Sequence, residues 1–149
     1  MNAVHKNIGF IGAGNMATAL ISGLIKAGYD HSRIYASSPE KGHLKKLKKE
    51  FSVNVTEYNK EVFLASSIIV LAVKPNVIVN VLEEFSEIIS DNECLIISIV
   101  AGLEIKSIQA MIGPERKIIR AMPNTPASLG MGVSALTHNN LINEKDEKE

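Results

Sequence analysis

Three stretches of this chain are apolar almost without interruption: Ile8–Ile11 (IGFI), Ser67–Val73 (SIIVLAV) and Cys94–Val100 (CLIISIV). They are too short for buried helices, and they lack the period of two that marks a half-solvated strand. They fit strands covered on both faces, which calls for a parallel sheet with helices on each side. Helical patterns lie between them. Met16, Leu20 and Leu24 stack on one face of a helix from about Asn15 to Ala27, with Gly28 as its C-terminal cap. Pro39–Phe51 reads as a basic surface helix pinned by Leu44, Leu47 and Phe51. Asn59 is placed to cap a short helix through Leu64, and Asn76–Phe85 and Glu104–Ile112 are helical. Arg33–Ser37, Val53–Thr56 and Lys117–Met122 are further strands, with Val133–Thr137 at an edge. The expected fold is α/β: a doubly wound, mostly parallel sheet of the Rossmann type.

With 149 residues, 46% hydrophobic and 21% charged, the chain has the make-up of one globular domain. Sixteen Lys and Arg balance sixteen Asp and Glu, so there is no basic footprint for nucleic acid or an anionic membrane. The apolar stretches, such as Leu64–Val73 and Cys94–Leu103, are too short to span a bilayer. No apolar secretory core precedes Phe10. A single cysteine, Cys94, excludes an internal disulfide, and a reducing cytoplasm is the expected compartment. His5, His31, His43 and His138 are scattered without metal-ligand spacing, so no metal site is expected. The run Lys45, Lys46, Lys48, Lys49 reads as a solvated helix face. Residues 1–138 are assigned to the domain. The charged segment 139–149 is a tail, or the start of a helical domain missing from this chain.

Gly12, Gly14 and Ala17 fit G-x-G-x-x-G/A, directly after the first strand and at the head of a long helix. In that context Gly12 permits the tight exit from the strand. Gly14 lets a diphosphate approach the backbone, and Ala17 lets the helix lie close to the sheet. The first helical amides, near Asn15 and Met16, would face the phosphates. A site selective for NAD usually carries an acid at the end of the second strand; here that position reads ASSPEK, Ala36–Lys41. Ser37 and Ser38 can donate to a 2′-phosphate and Lys41 can offset its charge, which favours NADP, with NAD as the alternative.

The ligand of such a sheet lies beyond the carboxyl ends of the strands. Those ends carry AVKP (Ala72–Pro75), Ala101-Gly102 and MPNTP (Met122–Pro126). Small residues at the first two leave room for ribose and nicotinamide. Two prolines stiffen the third around Asn124 and Thr125.

Taken together, IGFIGAGNMA, ASSPE, NKE, LAVKP, SIVAG and IRAMPNTP resemble the pyrroline-5-carboxylate reductases, in order and over essentially the whole chain. The resemblance implies reduction of 1-pyrroline-5-carboxylate to L-proline by hydride transfer from NADPH or NADH, in proline biosynthesis. It implies phosphate contacts from Ile11, Gly12, Ala13, Gly14, Asn15 and Met16, and adenosine-side contacts from Ser38 and Asn59. It sets the nicotinamide end against Ala72, Val73, Lys74 and Pro75, with Ala101 nearby. Asn124 and Thr125 become candidates to border the substrate, and no catalytic side chain is assignable. A protonated cyclic imine already accepts hydride well, so alignment and exclusion of water are what the protein must supply.

That family carries a second, helical domain that builds the dimer and much of the substrate pocket. The chain is therefore expected to bind cofactor but to reduce the imine poorly or not at all, and to form a homo-oligomer only with that domain. Two alternatives stand beside this. One is a non-catalytic dinucleotide-binding module. The other is a different reductase with the same front half, such as a β-hydroxyacid dehydrogenase or a deazaflavin-dependent NADP oxidoreductase, neither of which is expected to show both AVKP and MPNTP.

Overall fold

The computed structural model describes residues 6–88, 94–122 and 135–138. β1 (Ile8–Ile11) lies inside the sheet, flanked on both sides by parallel partners, β2 (Ile34–Ser37) and β4 (Ile68–Leu71). Beyond β2 lies β3 (Asn54–Thr56); beyond β4 lie β5 (Leu95–Ser98) and β6 (Lys117–Met122), all parallel. A final strand, β7 (Ala135–His138), runs antiparallel along β6. The sheet order β3-β2-β1-β4-β5-β6-β7 means that the chain turns from one half of the sheet to the other at β1. That reversal opens a crevice at the carboxyl end of β1, where open α/β sheets bind their ligands.

Both faces of the sheet are covered, which is why its strands read as apolar runs. Ile11, Ile69, Leu71, Ile96 and Ile118 face a core built from α3 (Asn59–Ala65), α4 (Ile78–Ile88) and α5 (Ile105–Ile112). Phe10, Ile34, Ala36, Ile68 and Val70 face α1 (Asn15–Lys26) and α2 (Lys41–Phe51), which contribute Ala17, Ile21, Leu44 and Leu47. Each fully buried Leu, Ile or Phe contributes about 1.5–3 kcal/mol. Phe63 and Phe85 meet edge to face at 5.1 Å, and the Arg116 guanidinium lies 5.6 Å from the Phe85 ring centre. The buried Arg116 is thus partly accommodated by an aromatic face.

Local signals explain the helix ends. Gly28, with φ +92°, follows α1; its amide bonds to the Ile25 carbonyl and the Tyr29 amide to the Leu24 carbonyl. This is the paired bonding that a left-handed glycine allows at a helix terminus. Two expectations shift. Asn59 does not cap α3 but is its first residue; Tyr58 holds the cap position, and the Thr56 hydroxyl accepts the Tyr58 amide at 3.1 Å. The fourth helix starts at Ile78 rather than Asn76, because Lys74–Val77 closes a turn first, with Val77 N–H donating to the Lys74 carbonyl at 3.0 Å. Pro75 occupies the second position of that turn, where its fixed φ fits. Strands end a residue or two inside several of the apolar runs; the flanking Ser67, Ala72, Val73 and Ile99 are half-buried, and the Ala72 and Ile99 amides still donate to the carbonyls of Ile11 and Leu71. Among the described residues no helix is long and apolar enough to cross a membrane.

Candidate functional site

The turn after β1 uses its two glycines differently. Gly12 has φ +105°, and a Cβ there would lie 2.5 Å from the carbonyl oxygen of Ala72. Conformation and space both demand glycine. Its amide donates to the Ser37 carbonyl at 2.9 Å, tying the turn to β2. Gly14 has an ordinary φ of −80°, and a Cβ there would meet nothing within 4 Å. Among the described residues, nothing in the packing requires Gly14 to lack a side chain.

Gly14 is also the N-cap of α1, and no side chain caps the helix or places an acid in its first turn. The first amides, those of Asn15 and Met16, therefore keep the positive end of the helix uncompensated. Gly14 oxygen is occupied, accepting from the Thr18 amide at 2.9 Å and the Thr18 hydroxyl at 2.8 Å. Asn15 is exposed and Met16 half-buried. Ala13, Ala17 and Ile11 are buried, so Ile11 and Ala13 can offer a ligand only main-chain groups.

At the end of β2 the structure corrects one expectation. Ser37 is fully buried, and its hydroxyl donates to Asn59 Oδ1 at 2.7 Å. It is committed inward and does not reach a 2′-phosphate as it stands. Ser38, also buried, accepts the Glu40 amide on its hydroxyl oxygen at 3.1 Å, which leaves its proton to give. Lys41 stands 4.0 Å from Glu57, with both side chains well exposed. Such a pair is worth little and yields readily to a stronger anion. Glu40 pairs with His43 at 3.3 Å. Asn59 Nδ2 donates to Glu84 Oε2 at 3.0 Å. Glu84 lies 25 residues away on α4, and no local sequence pattern announces it.

On the other side of the crevice, the amide of Ala72 donates to the Ile11 carbonyl at 2.9 Å. Ala72 and Val73 are half-buried, whereas Lys74, Pro75 and Ala101 are exposed. Gly102 turns the chain with φ +74°. Arg120, near the end of β6, was not singled out by sequence; its Nε is buried with no hydrogen-bond partner among the described residues, and the residue stands in register with the buried Ser98. Asn124 and Thr125, the rest of the MPNTP loop after Met122, and the segment 139–149 lie outside the described residues. Among the described residues no group of three or more metal-ligating side chains comes together.

Residues 7–102, most of the crevice, match the family described as NADP oxidoreductase, coenzyme F420-dependent. The chain belongs to this family. Within its reach are named enzymes: the chain is 38% identical over 146 residues to a pyrroline-5-carboxylate reductase of Escherichia coli (strain K12), covering 96% of this chain and 53% of that protein. The solved structure of a pyrroline-5-carboxylate reductase from Coxiella burnetii superposes with a TM-score of 0.92 at 37% identity, over 96% of this chain and 53% of the other. A pyrroline carboxylate reductase from Plasmodium falciparum, solved with NADP bound, gives 0.83 at 33% identity, over 96% and 52%. The chain spans about half the length of the curated relatives it matches. The NADP oxidoreductase family thus supplies, by sequence, the same dinucleotide fold that the strand order shows.

Proposed function

We propose that this chain forms the cofactor-binding part of a pyrroline-5-carboxylate reductase, with NADPH as the preferred hydride donor and NADH as the alternative. The observation that carries the proposal is the contrast at the first turn. Gly12 is required by the chain's own packing, while Gly14 faces open space beside uncapped helical amides. That is the shape and charge a diphosphate needs. The residues present therefore fit the dinucleotide.

In this reading Gly12, Ala13, Gly14, Asn15 and Met16, with the main chain of Ile11, hold the diphosphate. Ser38 and Asn59 meet the adenosine side, Ser37 supports Asn59 from beneath, and Lys41 leaves Glu57 for a 2′-phosphate. Ala72, Val73, Lys74, Pro75 and Ala101 border the nicotinamide, and Asn124 and Thr125 border the substrate. The bound cofactor supplies the hydride. The protein's part is to fix the cofactor's orientation and to keep water from the small-residue end of the crevice. The similarity to reductases of this name over nearly the whole chain supports 1-pyrroline-5-carboxylate as the substrate.

In this proposal the 149 residues bind the cofactor through the crevice described above. The expected compartment is the cytoplasm. Calorimetric titration with NADPH and with NADH tests the proposal. Binding of NADPH tighter than NADH is expected; absence of binding by both at millimolar concentration overturns it, and steady-state proline formation by these 149 residues overturns the claim of incompleteness. The family description also names coenzyme F420, so NADPH oxidation coupled to a deazaflavin would favour that acceptor instead.

A further inference from the structure

A chain of hydrogen bonds runs from α4 to the glycine turn. Asn59 Nδ2 donates to Glu84 Oε2 at 3.0 Å, Ser37 Oγ donates to Asn59 Oδ1 at 2.7 Å, and Gly12 N–H donates to the Ser37 carbonyl at 2.9 Å. Of these residues only Glu84 is absent from every motif in the sequence. It lies six residues after Ile78, about 9 Å along the axis of a helix that starts just beyond the AVKP loop. One helix therefore touches both ends of the crevice.

Glu84 decides how Asn59 is oriented. A carboxamide is nearly symmetrical in shape, so turning it over costs nothing sterically, and only its partners choose between the two ends. The Ser37 hydroxyl accepts either choice, since it can donate or accept. A carboxylate can only accept. Turned over, Asn59 would set Oδ1 against Glu84 Oε2, two acceptors with no proton between them. Glu84 thereby holds Nδ2 toward α4 and Oδ1 toward β2, and it obliges the buried Ser37 to be the donor. One N–H and one lone pair of the half-buried Asn59 amide are then left over in fixed directions at the carboxyl edge of the sheet.

We propose that Glu84 is a positioning residue for the adenosine ribose: through Asn59 it sets the donor and acceptor pattern offered to that half of the dinucleotide. This rests on the reading of the crevice as a dinucleotide site. The test uses Glu84→Gln, which keeps the shape and removes the compulsion, with Asn59→Ala and the double variant, each titrated with ADP-ribose and NADPH. Glu84→Gln is expected to weaken both ligands about five- to tenfold, the size of one charge-assisted hydrogen bond misdirected. It should do so at unchanged melting temperature, and with a shifted side-chain amide resonance for Asn59 in the free protein. In the Asn59→Ala background the same change should have no further effect. Unaltered affinity in Glu84→Gln, or equal weakening with and without Asn59, overturns the proposal alone. Failure of the unsubstituted chain to bind either ligand overturns the dinucleotide reading together with it.

Discussion

The two ends of the crevice are built in different ways. At the β2 end, Ser37 and Ser38 are buried and hydrogen-bonded, and Asn59 is held from two sides. At the β4–β5 end, Lys74, Pro75 and Ala101 are exposed, and no side-chain hydrogen bond holds them among the described residues. Ordering side chains costs entropy on binding, and a prebuilt end has already met that cost on folding. Affinity should therefore reside in the adenosine diphosphate half, while the opposite half is aligned by what it meets.

Substitutions at the turn joining the two ends should have the largest effects. Gly12→Ala places a side chain at φ +105° and against the Ala72 backbone, so loss of at least 3 kcal/mol in denaturant unfolding is expected, near the upper range for a strained residue. Gly14→Val has room, and the folded chain should persist with little change in melting temperature. Its NADPH affinity should fall about a hundredfold, the loss of one or two charge-assisted bonds. A Gly14→Val chain that binds normally would remove the contrast between the two glycines.

The opposite, amino-terminal edge of the sheet provides a control. Burial pushes the Cys94 thiol up to about 11, the nearby Arg116 offsetting this only in part. The unfolded thiol ionises near 9 and the folded one near 11, so the unfolded state holds fewer protons between those values. Stability should be fully present below pH 9 and fall by about 2–3 kcal/mol as the pH rises to 11. The Cys94→Ala variant should lack that slope without altered nucleotide affinity.

Ser37→Ala leaves Asn59 Oδ1 without its buried donor and should cost about 1–2 kcal/mol, with a several-fold loss of ADP-ribose affinity. Lys74→Ala, at the exposed end, should change stability by less than about 0.5 kcal/mol. An effect of Lys74→Ala on ADP-ribose binding as large as that of Ser37→Ala would erase the difference between the ends.

Much of this was legible in the chain itself. The alternation of apolar runs with helical periods predicts the sheet, and Lys117–Met122 forms the expected strand to the residue. Elsewhere the apolar run outlasts the ladder: Ala72 and Val73 leave the strand because β1 has no residue left to pair with them after the Gly12 turn. Local reading sees the glycines, since their demands are set by neighbours in sequence. It misjudges Ser37, whose orientation is fixed by Asn59, and it misses Glu84, because the Ser37–Asn59–Glu84 contacts join segments that only the fold brings together.

The outer strand β3 is only three residues long, and its Asn54 side chain turns back to bond the carbonyls of Ser32 and Ile34 at 2.9 and 3.1 Å. A neighbouring molecule seeking main-chain partners on that border finds almost nothing to extend. Crowded solutions should accordingly resist fibrous stacking there, and any clumping should begin instead at bare greasy spots such as Leu64 and Tyr58, 61% and 67% exposed.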